Sequence, residues 1–199
     1  MAIKVANNNS LSAITALPAA ITGGAITLLS TTTASSSSTV DITSSIDSTY
    51  KEYIIKFYDV HPATDNVTFQ TDTGTNTSYN QTVTTSFFQA IHAEGGGSTE
   101  VSYNTGNDLA QSTSFQILTE NISSDNDHGV SGTLHLFEPS STTFVKHFMA
   151  NSQYTSASNL CMQTFVAGYF NTTTVITRLQ FKMSSGDIDA GTFKLYGVV

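Results

Sequence analysis

The chain has 199 residues, enough for one domain of ordinary size with or without an arm, and long enough to bury a core without covalent staples. Its single cysteine, Cys161, excludes an intramolecular disulfide framework and a cysteine zinc site. With a formal net charge of −8 and only seven Lys and Arg, it lacks the basic patches that displace counterions from phosphate, so nucleic acid is not an expected partner.

Only 11% of residues are charged, yet twelve Phe and eight Tyr make the chain too aromatic for an unfolded polar tract. Ser, Thr and Asn supply the solvated surface instead of charges. Thr, Tyr, Phe and Val favour pleated, half-buried positions, so an all-β domain is the first expectation.

Residues 1–24 carry isolated apolar positions, Ile3, Val5, Leu11, Ile14, Leu17 and Ile21, separated by small polar ones and closed by Pro18 and Gly23-Gly24. Asn7, Asn8, Asn9 and Ser10 interrupt the segment, and no apolar run reaches the length of a secretory core or a membrane span. Membrane insertion is therefore not expected, and the protein reads as one made in a cytoplasm. The segment is too short for a core of its own. It is either a disordered leader or an attachment arm whose apolar residues order against a partner.

From Ala25 onward the pattern is strand-like. Expected strands are 25–30, 39–43, 50–60, 67–71, 79–92, 130–137, 143–151, 162–170, 175–183 and 192–198, with the serine run 35–38 as a loop. In Tyr50–Val60 both faces mix polar and apolar side chains, as in a long, central, partly wet strand. In VITRLQFKM, Val175, Thr177, Leu179, Phe181 and Met183 mark a core face, and Ile176, Arg178, Gln180 and Lys182 mark a wet one. Turn signals fall at Asp72-Thr73-Gly74, Gly95-Gly96-Gly97, Glu138-Pro139-Ser140-Ser141 and Ser185-Gly186-Asp187. One helix is expected, over Asn107–Gln116, capped by Asn107 or Asp108. The closing stretch GTFKLYGVV is expected to be sewn into a sheet. Strands at this spacing indicate an antiparallel sandwich, jelly-roll-like because of the long turns near Gly95 and Asp125, over residues 25–199.

Motifs with chemistry are sparse. His135 and His147 lie on apolar strands joined by a short turn and are placed near each other, but no third ligand is in register. Asp125-Asn126-Asp127-His128 has part of a calcium-loop spacing without its closing glutamate, and reads as a solvated turn. Cys161 sits in the apolar run 160–167 and reads as a small buried hydrophobe. No nucleophile elbow, zinc-protease motif or paired carboxylates appear, so neither catalytic residues, nor a metal, nor a cofactor is expected, and the chain reads as a non-enzyme.

The stretches IDSTYKEYIIKFYDVHPATDN, GTLHLFEPSSTTFVKHFMA and FVAGYFNTTTVITRLQFKMSSGDIDAGTFKLYG resemble a group of small proteins encoded by marine tailed bacteriophages, those of cyanobacteria included. The resemblance covers residues 25–199 and is most distinctive in the SSG-I-AG-KLYG ending. It implies a virion structural role, as a head decoration or a fibre protein, and carries no catalytic or binding residues. On that reading the partner of residues 1–24 is capsid or tail protein, and a homotrimer is the assembly expected by analogy. The alternative is a tail adhesin for host-surface glycan, in which Tyr79, Tyr103 and Tyr154, near Asn- and Ser-rich loops, offer aromatic faces to sugar.

Overall fold

The computed structural model describes residues 25–65, 67–74 and 78–199, with 67–71 described through the backbone alone. The strands are β1 (Ile26–Ser37), β2 (Val40–Ile42), β3 (Glu52–Pro62), β4 (Val67–Gly74), β5 (Val83–Ala93) and β6 (Thr99–Tyr103), followed by β7 (Gln116–Ile122), β8 (Val130–Phe137), β9 (Lys146–Thr155), β10 (Leu160–Phe170), β11 (Arg178–Met183) and β12 (Ile188–Val198). They form two antiparallel sheets. One has eight strands in the order β1-β12-β3-β8-β9-β10-β5-β6, and the other has four in the order β2-β11-β4-β7.

Alternation decides which face is buried. In β9, Lys146, Phe148, Ala150, Ser152 and Tyr154 point inward, while the residues between them point out. In β11, Leu179, Phe181 and Met183 bury their side chains as the sequence pattern required, but Ile176, read onto the wet face, is fully buried, because the strand begins only at Arg178 and its alternation does not extend back to 175–177. The sheets meet around Phe181 of the small sheet, whose ring centroid lies 6.2 Å from Phe57 and 5.2 Å from Phe193 of the large one. Hydrogen bonds also cross the interior: the Thr164 hydroxyl donates to the Leu118 carbonyl at 2.6 Å, and the Glu120 N–H donates to the Tyr154 hydroxyl at 3.2 Å. Each fully buried aromatic contributes roughly 1.5–3 kcal/mol, and the crossing bonds fix how the two faces register.

β12 lies between β1 and β3, so its backbone is paired on both edges. Gly132 of β8 gives Phe57 its place: a Cβ there would sit 2.8 Å from the Phe57 ring and 2.2 Å from the Asn151 carbonyl oxygen. β3 is bulged at its end. Asp59 takes φ 49° there, and its N–H donates to the Ser131 hydroxyl at 3.0 Å, where the register with β8 shifts between Phe57 and Val60.

Four expectations are corrected. The segment 107–116 is not a helix but an irregular stretch beside β5, because Val83 and Ser112 exchange backbone bonds and the Thr85 N–H takes the Leu109 carbonyl. The serine run 35–37 continues β1, paired to β12 as far as Ser37, so low-complexity sequence is carried by backbone bonding. Asp72, Thr73 and Gly74 lie within β4, with Asp72 and Thr73 buried, rather than in a solvated turn. β6 and β7 were not expected. β6 is short and exposed, and β7 mixes Thr and Glu among its apolar residues. The contacts expected of Ile3, Val5, Leu11, Ile14, Leu17 and Ile21 lie outside the described residues.

Candidate functional site

The inner face of the eight-stranded sheet is covered by the small sheet, and its outer face is open. On that outer face two recesses adjoin. The first is a groove of about 390 Å³ lined by Phe88, His135, Met149, Asn151, Phe165 and Ala167. Its floor is the stacked pair Phe88 and Phe165, neighbours in register on β5 and β10, with ring centroids 4.8 Å apart and planes within 11°. One alternation step along β8, from Thr133 to Ser131, and along β9, from Asn151 to Gln153, leads to the second recess.

That second recess is polar, about 540 Å³, and is bounded by Asp59, His61, Asp127, His128, Gln153 and Asp189 among others. The β3 bulge and the Asp125–His128 turn, closed by the His128 N–H to Asp125 carbonyl bond of 2.8 Å, bring these groups together. His61 Nε2 lies 3.1 Å from the Asp125 carbonyl, which can only accept, so that ring nitrogen carries the proton. Its Nδ1 faces Asp189 at 3.7 Å, and His128 stands 3.8 Å from Asp125 and 3.9 Å from Asp127. The Ser124 N–H donates to Asp65 at 2.6 Å, tying the same loop to the end of β3 and holding that carboxyl below its usual range. Among the described residues no group of three or more His, Cys, Asp or Glu is arranged to hold a metal ion. The pocket's carboxylates, imidazoles and amide can exchange hydrogen bonds with hydroxyl-bearing or cationic groups.

Between the recesses and the β1 edge stand two cations. Lys56 lies 5.8 Å from the Tyr196 ring centroid, and Lys194 lies 5.8 Å from that of Tyr58. Glu52 accepts from His135 Nδ1 at 2.6 Å.

The sequence-derived candidates fall in different places. Tyr154 is fully buried in β9, its hydroxyl accepting the Glu120 N–H, and burial raises its pKa; it offers no face to a ligand, which corrects its reading as a loop tyrosine. Tyr79 is half-buried, and burial together with the Asp41 carboxylate pushes its phenol up to about 12. Tyr103 is exposed on the open face, its hydroxyl donating to Asp108 at 2.6 Å. Cys161 is exposed on the outer face of β10, not buried, because it occupies the alternate position to Met162 and Thr164. His135 and His147 do not meet: His135 is opposite Met149 and is bonded to Glu52, and His147 is opposite Tyr169, ring centroids 6.1 Å apart. Phe88, Met149 and Phe165 were missed, although strict period-two reading of TTSFFQAIH assigns Phe87 and Phe88 to opposite faces.

Comparison of the chain with family models, with curated proteins and with solved structures found no match.

Proposed function

We propose that the chain is a structural subunit of a tailed-phage virion, a β-domain set on the particle as a head decoration or as part of a fibre or tail appendage. Residues 1–24 are the attachment device in this reading, joining the sandwich at Ala25, whose carbonyl accepts the Val199 N–H at 3.1 Å. The observation that supports an assembly role is the distribution of exposed apolar side chains. Leu28, Tyr58, Phe88, Val101, Tyr103 and Met149, six of the nine exposed large hydrophobic side chains among the described residues, lie on the open face of the large sheet, interspersed with Lys194, Lys56, Thr133 and Asn151. A sheet face that carries most of the exposed large apolar side chains suits a surface covered by protein. The phage setting rests on the resemblance of residues 25–199.

Deleting residues 1–24 tests the reading: purified particles from cells supplying only the 25–199 chain should lack it, and unchanged incorporation refutes the arm. An adhesin is the second reading, favoured by the polar pocket of about 540 Å³ beside an aromatic groove. Binding of the full chain to a glycan array, lost in Asp127→Ala, would establish it; no signal removes it.

A further inference from the structure

We propose that the open face of the eight-stranded sheet is the interface between two copies of this chain, related by a two-fold axis lying in the interface and running along the strands between β8 and β9. The proposal rests on the reading of the chain as an assembly subunit and names its first partner.

The strand order places β8 and β9 in the middle of the sheet, with three strands on either side. A two-fold rotation about the line between them lays β12 of one copy over β5 of the other, β3 over β10, and β8 over β9. The pairing registers then determine which side chains meet. Lys194, Lys56, Thr133, Asn151, Phe165 and Phe88 form one continuous row across the sheet, each opposite the next. Rotated on itself, that row sets Lys194 against the partner's Phe88, Lys56 against the partner's Phe165, and Thr133 against the partner's Asn151. Cations meet aromatic rings at four places, and no cation meets a cation.

The row one step along the strands behaves the same way: His135 and Met149 are opposite each other and straddle the axis, so each faces the other in the partner. The self-complementarity is a property of the strand registers.

Size agrees. Seven inter-strand steps of about 4.8 Å and an overlap of roughly seven residues give a face of roughly 34 by 24 Å, about 800 Å² per copy, the area of a standard stable interface. Twisted antiparallel sheets pack face to face in this aligned manner with side chains interdigitating, and the Phe88–Phe165 groove supplies the hole for a partner side chain.

The test is sedimentation equilibrium on the full chain at roughly 1–100 µM, a range that brackets a micromolar dissociation constant. The expected mass is twice the 21.2 kDa of one chain. Phe88→Lys places a lysine opposite the partner's Lys194 and should weaken association at least tenfold; adding Lys194→Phe exchanges the pair and should restore it. Met149→Asp, half-exposed beside the axis, should also give monomer. Circular dichroism melts confirm that each variant folds.

A wild-type monomer throughout the range overturns the proposal, as does a trimer, a dimer indifferent to Met149→Asp, or failure of the exchanged pair to restore association. A monomer that dimerises only after deletion of residues 1–24 also overturns it, assigning the face to that segment. Failure of the virion reading appears elsewhere, in particle incorporation, and leaves these masses unaffected.

Discussion

Lys146 offers the sharpest quantitative test of the packing. It is the first residue of β9, fully buried, with its Nζ donating to the carbonyls of Ser141 at 2.5 Å, Phe144 at 2.9 Å and Thr172 at 3.2 Å. All three ammonium hydrogens are therefore used, and they tie the β8–β9 connection to the β10–β11 connection. Burial lowers its pKa from the usual lysine value, yet three carbonyl oxygens face the charge. Lys146→Met keeps most of the methylene packing and removes the donors. Hydrogen bonds to a charged group contribute about 1.5–3 kcal/mol each, but carbonyls near the surface recover part of that from water, so the net loss should be about 3 kcal/mol. For a domain of this size that is a fall in Tm of roughly 6–12 °C. Urea unfolding should show a lower midpoint with unchanged slope, measured at a concentration where association does not change. Lys51→Met, removing an exposed pair with Glu138 at 3.2 Å, should cost no more than about 0.5 kcal/mol. If Lys146→Met stays within about 0.5 kcal/mol of the wild type, the three-carbonyl clasp is not a stabilising element.

Three further outcomes follow from the same geometry. Burial raises Asp72 to about 7 against the Thr73 N–H that favours its ionised form, so between about pH 4 and 7 the folded chain holds a proton that the unfolded chain has lost. Stability should therefore fall as pH rises through that window, by up to about 1.4 kcal/mol per unit from this residue; Asp72→Asn should remove that contribution, and identical pH profiles of the two proteins would refute the assignment. Gly132→Ala should destabilise by about 2 kcal/mol or more, because the new methyl meets the Asn151 backbone oxygen at 2.2 Å and cannot be relieved by turning a side chain; a thermal melt equal to wild type would contradict it. Tyr154→Phe should cost about 1–2 kcal/mol by leaving the Glu120 N–H without its partner, and hydrogen exchange should speed up first at that amide; unchanged exchange there would show that the bond is not formed in solution.

Composition and period-two patterning were enough to establish the all-β class, most strand positions and the core face of β11, since those follow from whether a residue suits a pleated, half-buried surface. Nothing local to Lys146 announces the three carbonyls from two connections that its ammonium meets. The 107–116 stretch misled for the converse reason: its spacing suits a helix, but backbone bonding to β5 overrides that weak local preference. Strand order, and with it the meeting of Lys56, Lys194, Phe88 and Phe165 on one open face, depends on pairings between residues far apart in the chain. Alternation within a strand was legible where the strand bounds were, and failed for Cys161 and Ile176. Which outward residues become neighbours is set by the pairing of strands, because a strand's own pattern carries its face and not its partner.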